Sequence, residues 1–441
     1  MLSPLDERYS AEIKDLFPIF SEFNLMSCRV NVEVMWLFAL EEIGLCKINE
    51  ACRKSLNELL TSFSKKDFVE IKNKEKETRH DIKAVEYFLK DRLFQLDSRL
   101  IEWVHFGLTS EDINNLSYAL ILSKARNILL VTLKNICKKL RAIVSKYAET
   151  AMLSRTHGQF ASPTTFGKEV ANFVSRLECV IKQLKQVKIF GKLNGAVGNF
   201  NALVVCFPDI DWLSLTEKLV NKFGLNYQRY TTQIEPHDWM GGLSNTLTQI
   251  NVILLDLVRD FWGYNALGYL KLQIKNQEVG SSTMPHKINP IDFENSEGNL
   301  GVANALFQHF STKLPISRWQ RDLSDSTVLR NWGVALGHSL LAYRNLLRGL
   351  DKVIVNEEGM KNDLENHWEV LAEPIQMILR KHGVIGGYEL LKKLTRGKKV
   401  TREIIKQLVD QLPLTLEVRE QILKLKPWTY LGLSVELAKI V

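Results

Sequence analysis

Residues 108–156 read LTSEDINNLSYALILSKARNILLVTLKNICKKLRAIVSKYAETAMLSRT, a stretch with no glycine and no proline. Apolar side chains recur through it at Leu122, Leu129, Leu133, Ile136, Leu140, Ile143 and Tyr147, in the steps of three and four that line one face of a helix. The stretch therefore predicts a long amphipathic helix. Thr109 and Ser110, followed by Glu111 and Asp112, mark its start, because their oxygens can accept from the free N–H groups and complement the positive helix end.

Two further runs repeat the pattern. One goes Phe166, Val170, Phe173, Leu177, Ile181, Leu184, and the other Leu247, Ile250, Leu254, Leu257, Phe261. Three long helices in one segment predict a bundle. Polar breaks such as Asn172 and Asn251 interrupt wide apolar stripes, which leaves faces for other subunits to cover. The best strand candidate is the short Ala202 to Phe207 stretch before Pro208, and no βα alternation is visible. The fold class expected is all-α, with domain boundaries near Asp97 and Ser98 and again between Asp351 and Glu357. The expected domains are thus an N-terminal helical domain (1–98), a central long-helix domain (99–350) and a C-terminal helical domain (351–441).

Composition narrows the function. A charge of +8 from 58 basic and 50 acidic residues suits an anionic partner. No basic block, zinc-finger spacing or RNP-like motif accompanies it, so nucleic acid is not expected. The opening MLSPLDERYS lacks the basic head and apolar run of a secretory signal, and no run of about 18 apolar residues suggests a membrane span. The six cysteines form no CxxC pair and suit a reducing compartment, so a cytoplasmic protein is expected. No HExxH or paired histidines could clasp zinc from one helix turn, and GxGxxG, P-loop and GxSxG motifs are missing.

The segment with the densest chemistry is Gly280-Ser281-Ser282-Thr283-Met284-Pro285-His286-Lys287-Ile288-Asn289-Pro290, which puts hydroxyls, an ammonium and an amide together between two helical regions. From its residues alone it reads equally as an exposed connector with capping serines or as an anion-binding loop hinged at Gly280 and able to close over a substrate.

The string resembles the GSSxMPxKxNP signature of the fumarase/aspartase superfamily, whose members release fumarate by β-elimination. Three more segments, Thr78-Arg79-His80-Asp81-Ile82-Lys83-Ala84, Thr109-Ser110-Glu111-Asp112 and Ser154-Arg155-Thr156-His157-Gly158-Gln159, are similar to the adenylosuccinate lyase family in its bacterial form. The similarity runs from Arg8-Tyr9 through Tyr230-Thr-Thr-Gln-Ile-Glu-Pro-His-Asp238 and Arg318-Trp-Gln-Arg-Asp-Leu-Ser-Asp-Ser-Thr-Val-Leu-Arg330 to Trp368-Glu-Val-Leu-Ala-Glu-Pro374, nearly the whole chain.

The resemblance implies cleavage of adenylosuccinate to AMP and fumarate, and of succinyl-aminoimidazole-carboxamide ribotide in the same purine pathway. It implies Ser281 as base and His157 as acid, with His80 the rival acid. The succinyl carboxylates would meet Thr109, Ser110, Gln233, Ser282, Lys287 and Asn289, and the phosphate and ribose Arg8, Tyr9, Arg321, Ser326 and Arg330. Arg79, His80, Asp81, Ile288, Asn295, Thr327, Val328 and Leu329 complete the expected pocket. The resemblance also implies three helical domains, a catalytic loop near 277–299, and a homotetramer with a twenty-helix core whose active sites each draw on three subunits. Neither metal nor organic cofactor is expected, because the substrate's own carboxylate is the electron sink. His105, His237 and His286 flank motifs and are expected to be structural or to support the site; His309, His338, His367 and His382 are expected on the surface or in packing. Arg79 and Phe160 depart from the family pattern, which makes Arg79 a candidate for altered nucleotide contacts and Phe160 one for local packing. The competing readings are argininosuccinate lyase, which shares the loop signature, and a non-catalytic helical scaffold.

Overall fold

The computed structural model of the protein describes residues 3–273 and 282–440. Its architecture is all-α. In chain order the principal helices are α1 (Glu22–Glu42), α2 (Glu50–Ser62), α3 (Lys65–Thr78), α4 (Asp81–Phe94), α5 (Ser110–Lys146), α6 (Phe166–Gln186), α7 (Asp238–Ala266), α8 (Ile291–Lys313), α9 (Ser324–Leu329) and α10 (Trp332–Lys352). Shorter helices follow from Glu357 to the C-terminal end of the described chain, and the strands among the described residues form three two-stranded sheets.

Contacts divide the chain into two compact units. The first comprises Met1–Leu133, Val180–Val252 and Gly298–Arg344, and the second Lys134–Cys179, Ile253–Glu297 and Asn345–Val441. In the first unit α1 to α4 enclose an apolar core that includes Val30, Val34, Leu37, Leu56, Ile71, Val85 and Phe88. Each of these helices except α4 opens on a Ser or Asn side chain that accepts a backbone N–H, and His80 does the same for α4. Further along, Trp332 is fully buried against Phe310, with ring centroids 4.9 Å apart. The same unit holds a buried polar cluster, in which Asn251 donates to Asn304 at 3.0 Å and accepts from the Tyr343 hydroxyl at 2.6 Å. A satisfied network of this kind fixes the register of helices that apolar packing alone would leave free to slide. In the second unit the C-terminal helices pack around Leu371, Ile375, Leu379, Ile405, Val409 and Ile422.

The decisive stretch behaves as expected at its start and differs at its end. Helix α5 begins at Ser110, with Asp112 Oδ2 accepting the Thr109 N–H at 2.9 Å. Its apolar composition would suffice for a membrane-crossing helix, but 56% of its most apolar window is buried inside the protein, as befits a core helix. Instead of continuing to Thr156, it stops at Lys146, and Ala151–Thr156 forms a strand, β1, paired antiparallel with β2 (Gln159–Thr165). The return is anchored where the Phe166 N–H meets the Thr150 carbonyl and the Gly167 N–H meets that of Tyr147, both at 2.9 Å. A β-carbon on Gly167 would lie 2.6 Å from the Ala148 α-carbon and 2.7 Å from the Tyr147 oxygen. Gly167→Ala is therefore expected to cost about 1–3 kcal/mol through forced overpacking, read as a lowered thermal midpoint; an unchanged midpoint would refute this account of the helix end.

The strand expected at Ala202 to Phe207 is instead a helical turn, Asn201–Cys206, entered through Phe200 at φ 56. Only Leu203 of it is buried, while Val204 and Val205 face solvent. A short apolar run carries no period long enough to separate the two forms. All six cysteines are free thiols.

Candidate active site

Three loop-to-helix junctions of the first unit meet at one cavity of about 440 Å³. The start of α4 contributes Arg79, His80 and Asp81, the start of α5 contributes Ser110 and Glu111, and the segment through α9 contributes Arg321, Ser326, Thr327, Leu329 and Arg330. Because α4 and α5 both begin here, their helix dipoles direct positive potential toward the site.

Four arginines add to it. Arg29, buried on α1, places Nη2 2.7 Å from Asp81 Oδ2 and donates through Nε to Asn114 at 3.1 Å. Burial works to raise the Asp81 pKa, but the Arg29 charge and the hydrogen bonds from Ile82 and Arg29 outweigh it and hold the carboxyl below its ordinary value. Arg321 bridges Glu111, at 2.8 Å, and the Gln233 amide oxygen, at 3.2 Å. Gln233 in turn donates to the Ala196 carbonyl at 3.0 Å. For Arg79 and Arg330, among the described residues, no ion pair to a carboxylate forms. Two committed guanidiniums thus shape the wall, and two uncommitted ones can fork to the oxygens of a dianion such as a phosphate.

His80 caps α4 by accepting the Lys83 N–H on Nδ1 at 3.2 Å. The neutral ring must then carry its proton on Nε2, so the free nitrogen is a donor. Asp81 lies 3.8 Å from that ring and is already engaged by Arg29, so His80 and Asp81 do not form a tight dyad. Arg79 ends α3 in the left-handed region at φ 53.

Of the other residues named from the sequence, Thr109 stands just before α5, its N–H held by Asp112, without lining the cavity, and Val328 sits in α9 without lining it. Arg8 and Tyr9 stack on one another, 5.6 Å from guanidinium to ring centre, and do not line it either. Arg29, Asn114 and Tyr118 line the wall without having been anticipated. Arg29 had one legible signal: a charge set, with Glu33, within the apolar spacing Met26, Val30, Val34 of α1.

The remaining named residues belong to the second unit. His157 and Gly158 are the two-residue turn between β1 and β2, with φ 53 and 74. A hairpin turn of this type needs positive φ at both positions, so glycine serves the second, and the imidazole is exposed at the tip. Behind it Arg155 holds Asp363 at 2.6 Å and the Tyr269 hydroxyl at 2.9 Å. Phe160 packs on His367 with ring centres 3.7 Å apart, a local role as expected. Ser282, Lys287 and Ile288 are exposed on the loop that precedes α8, where Pro285 sits second in a turn closed by the Lys287 N–H on the Met284 carbonyl at 3.1 Å. Asn289 is half-buried, and Asn295 accepts from the Asn345 amide. Ser281 lies outside the described residues.

Comparison with known proteins places this geometry. Residues 7–304 match the Lyase family and residues 317–431 match the adenylosuccinate lyase C-terminal family. Adenylosuccinate lyase of Haemophilus influenzae is 48% identical, covering 99% of this chain and 98% of that one. The Buchnera aphidicola and Escherichia coli proteins of the same name are 47% and 46% identical over 100% and 98% of this chain and 96% and 97% of theirs. Among solved structures a fumarate lyase from a Mesorhizobium species superposes with TM-score 0.80 at 17% identity, covering 97% of each chain. A 3-carboxy-cis,cis-muconate lactonizing enzyme from Pseudomonas putida gives 0.78 at 18%, over 98% of this chain and 97% of the other; these two likenesses concern the fold. The chain belongs to the adenylosuccinate lyase family.

Proposed function

We propose that this protein eliminates fumarate from adenylosuccinate, leaving AMP, and from succinyl-aminoimidazole-carboxamide ribotide, leaving aminoimidazole-carboxamide ribotide, in purine biosynthesis. The observation that carries the reading is that Arg79, His80, Asp81, Ser110, Arg321, Ser326, Thr327, Leu329 and Arg330, scattered through the sequence, line a single cationic cavity. Such a cavity suits a substrate with a phosphate at one end and two carboxylates at the other.

In the proposed reaction the ionised Ser281 hydroxyl takes a proton from the succinyl carbon next to a carboxylate. The electron pair of that C–H bond becomes the new C=C bond as the C–N bond breaks, and His157 gives its proton to the departing nitrogen. Serine is a poor base at neutral pH, so Lys287 and loop N–H groups must favour its charged form once water is excluded. Thr109, Ser110, Gln233, Ser282, Lys287 and Asn289 receive the carboxylates. Arg8, Tyr9, Arg321, Ser326 and Arg330 receive the phosphate and ribose, with Ile288, Asn295 and Val328 completing the pocket.

The working form is a cytoplasmic homotetramer of three-domain chains (1–98, 99–350 and 351–441), with each site built from three of them. Large apolar side chains left exposed on the long helices support further chains covering them: Val131 on α5, Val252 and Trp262 on α7, and Val302 on α8.

His157→Gln is expected to lower kcat by about 10²–10⁴, whereas His80→Gln should chiefly raise KM. The opposite split would transfer the acid role to His80. The reading as a whole is tested by offering purified protein adenylosuccinate, succinyl-aminoimidazole-carboxamide ribotide and argininosuccinate in turn. Fumarate should appear with the two purine substrates; release from argininosuccinate alone would overturn it.

A further inference from the structure

His237 is fully buried just ahead of α7, held at φ 63 between two carboxylates. Its Nδ1 lies 3.2 Å from Glu235 Oε2 and its Nε2 3.5 Å from Asp325 Oδ2. Glu235 is fastened from other sides as well, accepting the His237 N–H and the Trp239 indole N–H, both at 2.9 Å. The other Asp325 oxygen reaches a residue that lines the cavity: Oδ1 accepts the Ser326 N–H at 2.7 Å and the Ser326 hydroxyl at 3.4 Å. A continuous chain of contacts thus runs from Glu235 through His237 and Asp325 to Ser326, which lines the cavity.

We propose that His237 is a positioning residue: as an imidazolium it holds Asp325, and through Asp325 it fixes Ser326 and the rest of α9 up to Arg330 for the nucleotide end of the substrate. This rests on the assignment of Ser326 and Arg330 to phosphate and ribose. Charge bookkeeping favours the protonated ring. Two buried carboxylates with a neutral imidazole between them would leave two uncompensated charges, whereas the imidazolium donates to both. Burial alone would lower the His237 pKa, but the hydrogen bonds to Asp325 and Glu235 and their charges prevail and push it up to about 9. The Asp325 carboxyl is correspondingly held below its ordinary value: burial opposes this, and His237 overcomes it, with lesser help from the Ser326 N–H and the Arg321 charge.

The consequence is a pH dependence in binding rather than in chemistry. The positioning is complete below the ordinary imidazole value of 6.5, is maintained by the fold alone above it, and fails as pH rises through about 9. In the full-length enzyme, KM for adenylosuccinate should climb about tenfold across that step while kcat changes little. Glu235→Gln removes one of the two carboxylates without touching Asp325, so it should move the step to lower pH. His237→Gln should show the raised KM already at pH 7 and no step. Should His237→Gln fail to fold, the first two profiles still decide: a flat KM from pH 7 to 10, or a step unmoved in Glu235→Gln, overturns the proposal. A nuclear magnetic resonance titration of labelled histidine reads the ring without substrate. A buried ring that titrates near 6.5 would sink this inference alone, whereas absence of fumarate release at pH 7 would sink the functional reading and leave the titration standing.

Discussion

Ser281→Ala is expected to lower kcat by about 10²–10⁴ while KM and the assembled state stay near those of the parent protein. The reason is chemical. Alanine cannot accept the succinyl proton, yet it removes none of the guanidiniums and helix ends proposed to bind the phosphate and carboxylates. Single-turnover rates with adenylosuccinate, together with the sedimentation profile of the variant, separate the two effects; near-normal turnover would remove the serine from its role.

A comparably large effect, on stability, is expected from Lys192→Met. Lys192 and Asp112 are both fully buried, with Nζ 2.9 Å from Asp112 Oδ1. Asp112 also accepts the N–H groups of Thr109, Asn194 and Gly195 at 2.9, 3.0 and 3.1 Å, and Lys192 donates to the Gly195 carbonyl at 3.3 Å. The pair therefore ties the start of α5, where Ser110 enters the cavity, to the loop after Gly191. Removing the ammonium leaves a buried carboxylate without its counter-charge, which costs about 3–5 kcal/mol. The double variant Lys192→Met with Asp112→Asn should recover part of that loss, because it deletes the stranded charge while keeping one acceptor oxygen. Denaturation midpoints of the four proteins in this cycle give the coupling; simple additivity would mean that the two side chains do not act as a pair.

What could be read from sequence followed from local rules. Helix α5 starts where Thr109, Ser110, Glu111 and Asp112 announce it, and α6 and α7 occupy the two apolar runs whose spacing marks them, because periodicity needs only the neighbouring turns to express itself. The end of α5 was not legible. Residues 147–156 contain no glycine or proline to break the helix, and what breaks it is the docking of the hairpin through Gly167, a contact set by tertiary structure. The His157-Gly158 dipeptide was the available turn signal, and it stood inside a segment whose strands alternate poorly in burial.

The site divides along the same line. Arg79, His80, Ser110, Arg321 and Arg330 could be named because they stand in motifs, but their partners could not. Nothing near Asp81 announces Arg29, 52 positions away in sequence, and nothing in Glu111 announces Arg321. Asp112 looked like a residue of helix capping and proved to be the anchor of a buried lysine as well. Likewise His237, expected to be structural or to support the site, is clamped by Glu235 and Asp325, and nothing in the sequence announced Asp325, which comes from a distant stretch of chain.

The central proposal is that two side chains far apart in the chain, the Ser281 hydroxyl and the His157 imidazole, work on one succinyl group at a site that several copies of the protein build together. Mixing the inactive variants Ser281→Ala and His157→Ala, dissociating them and letting them reassemble tests this most directly. Fumarate release from adenylosuccinate should return in the mixture, since some sites then receive an intact serine and an intact histidine from different chains. A mixture that reassembles fully and stays as inactive as its components would contradict it.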